Sequence, residues 1–295
     1  MKKAIMVIIG ISFIILGGGL IALGYFFGGK FPEFFGFEDG KIKFGSGTTV
    51  EDSVELSEFD KLDINMDTST VYVIHEGKEW KLEYALSKEP EITEKDGKVT
   101  IKESGRMISF WNFGFSKKHY VKLYIPADVK LIKEASISTD TGSVHVDKID
   151  FDILRIKSDT GSVHVNAVAV PDAEIKTDTG SLHIDAFTCD KLLTKTSTGS
   201  QNFTNAKIEE LNAKTDTGSF KMEESSLTEG KIETDTGSIK LFVKGKLSDY
   251  EIHAKTDTGS VKVNGNKQGK KYESSGAHEL NLETDTGSIT IETEE

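Results

Sequence analysis

A five-residue block made of groups that do chemistry recurs through the chain. It reads Thr139-Asp140-Thr141-Gly142-Ser143 and returns at 158–162, 177–181, 196–200, 215–219, 234–238, 256–260 and 284–288. Asp-Thr-Gly-Ser is a tetrad that aspartic proteases use, with two aspartates in one cleft sharing a proton. Here the block occurs eight times, seven of them with the aspartate, and the residues before it are mostly Lys-Thr, Lys-Ser or Glu-Thr, where a protease carries apolar residues. An array of that kind does not make a catalytic dyad. A column of carboxylates could instead hold Ca2+, which takes several oxygen ligands; Asp159, Asp178, Asp216 and Asp235 are the candidates. Lys157, Lys176, Lys214 and Lys255 stand two residues before such aspartates and compete for them, because residues two apart in a strand share a face. Turn formation accounts for the aspartates more simply. No catalytic residue or cofactor is assigned, and Ca2+ stays the lesser alternative.

His145, His164 and His183 are spaced nineteen apart. Three imidazoles in line could take a transition metal or respond to pH below about 6.5. The column continues as Asn202 and Lys221, so an outward, polar position explains it without a metal. Phe110, Trp111, Phe113 and Phe115, flanked by Arg106 and Lys117-Lys118, form an aromatic turn that either plugs an end of the fold or touches a partner, a glycan or a membrane face. No phosphate loop, metalloprotease helix or plausible Ser/His/Asp set is visible.

The elements that position these groups read as strands. The eight block glycines are separated by five spacings of 19, then 22 and 28, and a period near twenty marks a repeat architecture. After each block comes an alternating run such as Val144-His145-Val146, then a polar step, then a second run such as 151–156. Laid on one another, the periods give apolar columns: Val144, Val163, Leu182, Gln201, Phe220, Ile239, and Val146, Val165, Ile184, Phe203, Met222, Leu241. The column between them is polar. Like residues line up when like strands are neighbours, which predicts an all-β parallel β-solenoid of about 19-residue coils; an antiparallel meander or propeller-like array is the competing arrangement. Residues 136–295 are read as the solenoid and 50–135 as an opening β segment that caps it, with 67–73 a degenerate first copy. The stretch from about 264 to 276 reads as a surface loop, and the acidic end at 291–295 as a guard against edge pairing.

The chain has 295 residues and a net charge of −12, which argues against nucleic acid as a partner. One cysteine, Cys189, allows no internal disulfide and reads as a small buried hydrophobe. Residues 4–29 carry no charge, long enough as a helix to cross a bilayer, and follow Lys2 and Lys3. This predicts an uncleaved single-pass signal anchor over 1–30, cytoplasmic N-terminus, a juxtamembrane linker over 31–49 and an extracellular C-terminal domain. The expected partners are the lipid bilayer, through the helix, and an unidentified envelope component or protein.

The repeated blocks, the Tyr124-Ile125-Pro126-Ala127 step and the N-terminal anchor together resemble a bacterial putative-adhesin, β-strand-repeat family containing domain of unknown function 4097, over about residues 50 to 295. LiaG-like membrane-anchored members accompany cell-envelope stress systems in Gram-positive bacteria. The resemblance implies a β-solenoid outside the membrane and a role in surface attachment or envelope stress, and it supplies no catalytic residues. The resulting expectation is a non-enzymatic binding or scaffold surface. The alternatives are a wall-polysaccharide-acting β-helix enzyme and a Ca2+-binding solenoid.

Overall fold

The computed structural model describes residues 34–38, 41–45, 49–103, 108–112 and 119–294. The apolar segment at 4–29 lies outside the described residues; among those described, no helix is long and apolar enough to cross a membrane. The chain divides into two compact units. The smaller draws on residues 1–48 and 106–117. Its described part is an antiparallel sheet with Phe34–Glu38 between Lys41–Gly45 and Ile108–Asn112. The expected linker over 31–49 thus carries two strands. Phe110 and Trp111 sit in a strand rather than a turn, while Phe113 and Phe115 lie outside the described residues.

The larger unit is the stack. Each coil is a long strand, the block corner and a short strand. The first six are Leu131–Thr141 with Val144–Asp147, Asp150–Thr160 with Val163–Asn166, Ala169–Thr179 with Leu182–Asp185, Thr188–Thr198 with Gln201–Thr204, Lys207–Thr217 leading into Phe220–Thr236, and the end of that strand with Ile239–Val243. Pairing is parallel and in register. Val144 faces Val163, Val163 faces Leu182, and so on through Gln201, Phe220 and Ile239. Alternation of inward and outward residues buries the same face in every coil. In the long strands the alternation slips by one: Phe151 and Leu154 are both buried and the two residues between them exposed. This slip divides the long strand into two arms around the core. The corner after each short strand turns on a residue with positive φ, such as Lys148 (62°), Ala167 (53°) and Ala186 (49°). In the first coils no glycine marks these corners, so sequence patterning gave no sign of the left-handed conformation there; Gly245 and Gly265 mark the corners of coils six and seven.

At the N-terminal end Lys61–Met66 and Thr70–His75 lie parallel beneath the first coil, so residues 67–73 occupy the place of a preceding block. Tyr120–Ile125 and Lys98–Lys102 extend the two sheets, and antiparallel strands Lys81–Leu86, Val50–Glu55 and Glu91–Lys95 finish them.

The C-terminal end departs from the sequence reading. Coil seven, Tyr250–Thr258 with Val261–Val263, does not stack on coil six. The final coil, His278–Thr286 with Ile289–Thr293, lies between them: Ile239 faces Ile289, and Ile289 faces Val261. The long strands follow the same order, Ile232 facing Leu282 and Leu282 facing Ala254. The acidic C-terminus therefore does not form the end of the stack. That end is covered by the segment expected to be a loop. Asn266–Gly269 and Lys271–Glu273 pair antiparallel with the two strands of coil seven. The spacings had a structural cause. Three extra residues, with a short 3-10 turn at Leu247–Asp249, let the chain climb two rungs, and the longer insertion wraps coil seven before returning beneath it.

Candidate functional site

The recurring block is first a stacking device. Its first hydroxyl is buried and, in most blocks, donates to the glycine carbonyl of the coil before: Ser158 to Gly142 (3.0 Å), Thr177 to Gly161 (2.9 Å), Thr234 to Gly218 (2.9 Å). Its glycine lets successive backbones approach. A Cβ on Gly180, at φ +148°, would sit 2.1 Å from the Gly161 oxygen, and the others from Gly161 to Gly287 meet the same contact at 1.8–2.0 Å. No other residue type fits there. Its serine forms a ladder in which each hydroxyl accepts the next serine's N–H, Ser181 N to Ser162 Oγ at 3.2 Å for example. In the first, degenerate copy Ser69 takes the glycine position, and Thr139 donates to its carbonyl at 3.2 Å. Glu103 completes that corner, its carboxylate accepting the N–H groups of Asp67 (2.8 Å) and Thr68 (2.9 Å).

The block aspartates point outward at the corner. Lys157 pairs with Asp159 at 2.7 Å and Lys255 approaches Asp257 at 3.8 Å. The other proposed pairs are rearranged: Lys176 bonds Glu174, and Lys214 reaches Asp235 of the next coil at 4.0 Å rather than Asp216. Asp178 is exposed, Asp216 half-buried, and Ser197 interrupts the column. Among the described residues no group of three or more His, Cys, Asp and Glu is arranged to hold a metal ion.

The histidines do come together. His145 stacks on His164 with ring centroids 4.6 Å apart and planes 3° from parallel, and His164 on His183 at 4.7 Å and 8°. Tyr72 heads the ladder, stacked on His145 at 4.7 Å. The sequence held that signal: aligning Val71-Tyr72-Val73 with Val144-His145-Val146 puts Tyr72 in the histidine column, the observed register. Burial lowers the pKa of His145. His164, between two imidazoles, falls to about 4, through burial first and the like charge of its neighbours second. At neutral pH His145 and His164 are uncharged and present ring edges along the outer face.

Two other features bear on chemistry. Cys189 is buried, its thiol donating to the Lys191 carbonyl at 3.1 Å and pushed up to about 12 by burial, so it is no nucleophile. An open cleft of about 400 Å3 lies at the C-terminal end, lined in part by Lys231, Glu233, His253, Lys255, Tyr272 and Glu283. Two of its carboxylates are tied to lysines, Glu233 to Lys231 at 2.7 Å and Glu283 to Lys255 at 2.9 Å. Those bonds also raise the pKa of both lysines. A glycoside-cleaving pair needs two carboxyl groups facing the substrate; Glu233 and Glu283 are each turned to a lysine instead.

The family model for Toastrack, DUF4097, matches residues 59–292. The chain belongs to the Toastrack family. Its match spans the whole stack from beneath the first coil to the intercalated last one. Solved structures similar to this Toastrack chain include a putative adhesin from Parabacteroides distasonis ATCC 8503, 12% identical, covering 84% of this chain and 98% of that one with a TM-score of 0.50. A putative adhesin from Bacteroides fragilis NCTC 9343 is 13% identical over 84% of this chain and 98% of that one, TM-score 0.48. A putative lipid binding protein, again from Parabacteroides distasonis ATCC 8503, is 11% identical over 84% and 98%, TM-score 0.43. At these identities the likeness concerns the fold alone. No curated protein matches the chain.

Proposed function

We propose that this Toastrack protein is a non-catalytic, membrane-anchored module that holds a rigid repeat surface outside the cell membrane for binding an envelope component or another protein, as an adhesin-like or envelope-stress accessory. The observation that carries this reading is the in-register array of outward side chains: successive coils offer the same position again about every 4.8 Å, as in the ladder from Tyr72 to His183. A surface of that kind suits an extended partner better than a small substrate. The apolar run at 4–29 supports the anchor, which would keep the stack close to the bilayer. The ion-paired carboxylates of the C-terminal cleft support a binding role over hydrolysis.

Affinity capture from intact envelopes tests this. The immobilised full chain is compared with one in which His145, His164 and His183 are all replaced by Glu, reversing the character of the ladder without touching the core. The reading expects a retained envelope component that the triple variant loses. Equal capture by both chains, or release of soluble fragments from purified wall polymer by the unaltered chain, contradicts it.

A further inference from the structure

The last coil is a strand pair inserted into a gap, and the gap has the form of an acceptor site. Its walls are coil six and coil seven, which the chain leaves two rungs apart, with room for one coil between. The inserted coil is held by the contacts that hold every other coil. Thr284 donates to the Gly237 carbonyl (2.8 Å) and Thr256 of coil seven donates to the Gly287 carbonyl (2.7 Å). Ser288 N donates to Ser238 Oγ (3.4 Å), and a Cβ on Gly287 would lie 1.8 Å from the Gly237 oxygen. What the gap selects is therefore a Thr-Asp-Thr-Gly-Ser corner followed by apolar residues at alternate positions, the pattern this chain itself carries.

Nothing in those contacts depends on the inserted coil belonging to the same molecule. Its connection to coil seven is the segment 264–277, which crosses the outer edge of coil seven and is exposed along most of its length. Its strands Asn266–Gly269 and Lys271–Glu273 must first release from coil seven; fourteen extended residues then reach about 46 Å, enough to leave one stack and enter a neighbour. Coil seven also repeats the columns of coil six, with Thr256, Gly259, Ser260 and Val261 matching Thr234, Gly237, Ser238 and Ile239. We propose that the gap between residues 230–243 and 250–263 is a strand-acceptor site for the 278–293 segment of a second copy, so that two copies exchange last coils reciprocally. Exchange of an identical element between protomers costs little beyond the hinge, because the same contacts form on both sides. Anchoring many copies in one bilayer would raise the local concentration that favours it.

Site-directed crosslinking of the full chain tests this. Lys240 and Thr290 are partners on neighbouring strands of the outer face, about 4.8 Å apart and within disulfide reach. A chain carrying both Lys240→Cys and Thr290→Cys should close that disulfide, within one chain where its own coil is inserted and across two chains where coils are exchanged. Two differently tagged chains, one with Lys240→Cys and one with Thr290→Cys, are then co-expressed and oxidised. Exchange predicts a covalent heterodimer at several times the yield given by Lys221→Cys with Thr290→Cys, a pairing one rung too far apart that measures random collision. A heterodimer yield no higher than this control, while the double variant closes efficiently, overturns exchange. Failure of the double variant to close overturns the inserted geometry on which exchange rests.

Discussion

Acid should loosen the stack at its histidine ladder. His164 has a pKa of about 4 in the folded protein against 6.5 when free, chiefly because burial disfavours the charged ring. Across this window the unfolded chain binds more protons than the folded one, so stability rises with pH. The contribution is fully present above about pH 6.5 and is lost as pH falls toward 4. At about 1.4 kcal/mol per pKa unit the shift corresponds to about 3 kcal/mol. The ring edge keeps contact with water, and screening reduces this to about 1–2 kcal/mol. His164→Asn removes the titrating group while keeping a residue the same column already holds at Asn202. Urea unfolding of the unaltered chain and the variant, followed by circular dichroism at half-unit steps from pH 7.5 to 4, gives the difference. The unaltered chain should lose about 1–2 kcal/mol more than His164→Asn across that range. Parallel losses in both proteins would refute the argument, because the carboxylates and remaining histidines common to both would then carry all the acid sensitivity.

Gly180→Ala puts a Cβ 2.1 Å from the Gly161 carbonyl oxygen, so the rungs must separate there. Destabilisation of about 4 kcal/mol or more is expected, whereas Gly265→Ala, with nothing within 4 Å, should cost about 1–2 kcal/mol for its positive φ alone; thermal unfolding compares the two. Thr196 has a buried hydroxyl without a hydrogen-bond partner, so Thr196→Val should be neutral or stabilising by up to about 1–2 kcal/mol in denaturant unfolding. Gln201 is buried and bonds Thr194 (2.6 Å), the Lys214 carbonyl (2.8 Å) and Thr215 (3.0 Å). Gln201→Leu should therefore cost about 1–3 kcal/mol, and adding Thr194→Val should recover part of it. Cys189 should resist iodoacetamide at pH 8 in the native protein and react at the rate of a free thiol once unfolded, as mass spectrometry would show.

Much of the architecture was legible because a solenoid writes its neighbours into its period. Val144, Val163 and Leu182 share a column in the sequence because they share one in space. The histidine ladder followed from the same alignment, since outward positions repeat as faithfully as inward ones. The order of the last two coils was not legible for the converse reason. Ile239, Val261 and Ile289 are interchangeable in a column, so periodicity could not say which sits beside which. The spacings of 22 and 28 carried the clue, but a longer spacing fits a loop as well as a skipped rung. The block itself misled toward aspartate chemistry because its most reactive residue is the one that does least for the stack. Thr, Gly and Ser make the contacts between coils, as Thr177, Gly180 and Ser181 show, while Asp178 faces solvent.

The order of rungs can be measured by pulsed electron paramagnetic resonance on spin labels in the outer column that runs Lys176, Lys195, Lys214, Glu233, Glu283, Lys255. A label at 176 should lie four rungs, about 19 Å, from one at 283 and five rungs, about 24 Å, from one at 255, allowing for equal label lengths. The reverse order, with 255 nearer than 283, would restore chain-order stacking and contradict the inserted coil; distances that do not scale with rung number would contradict the stack itself.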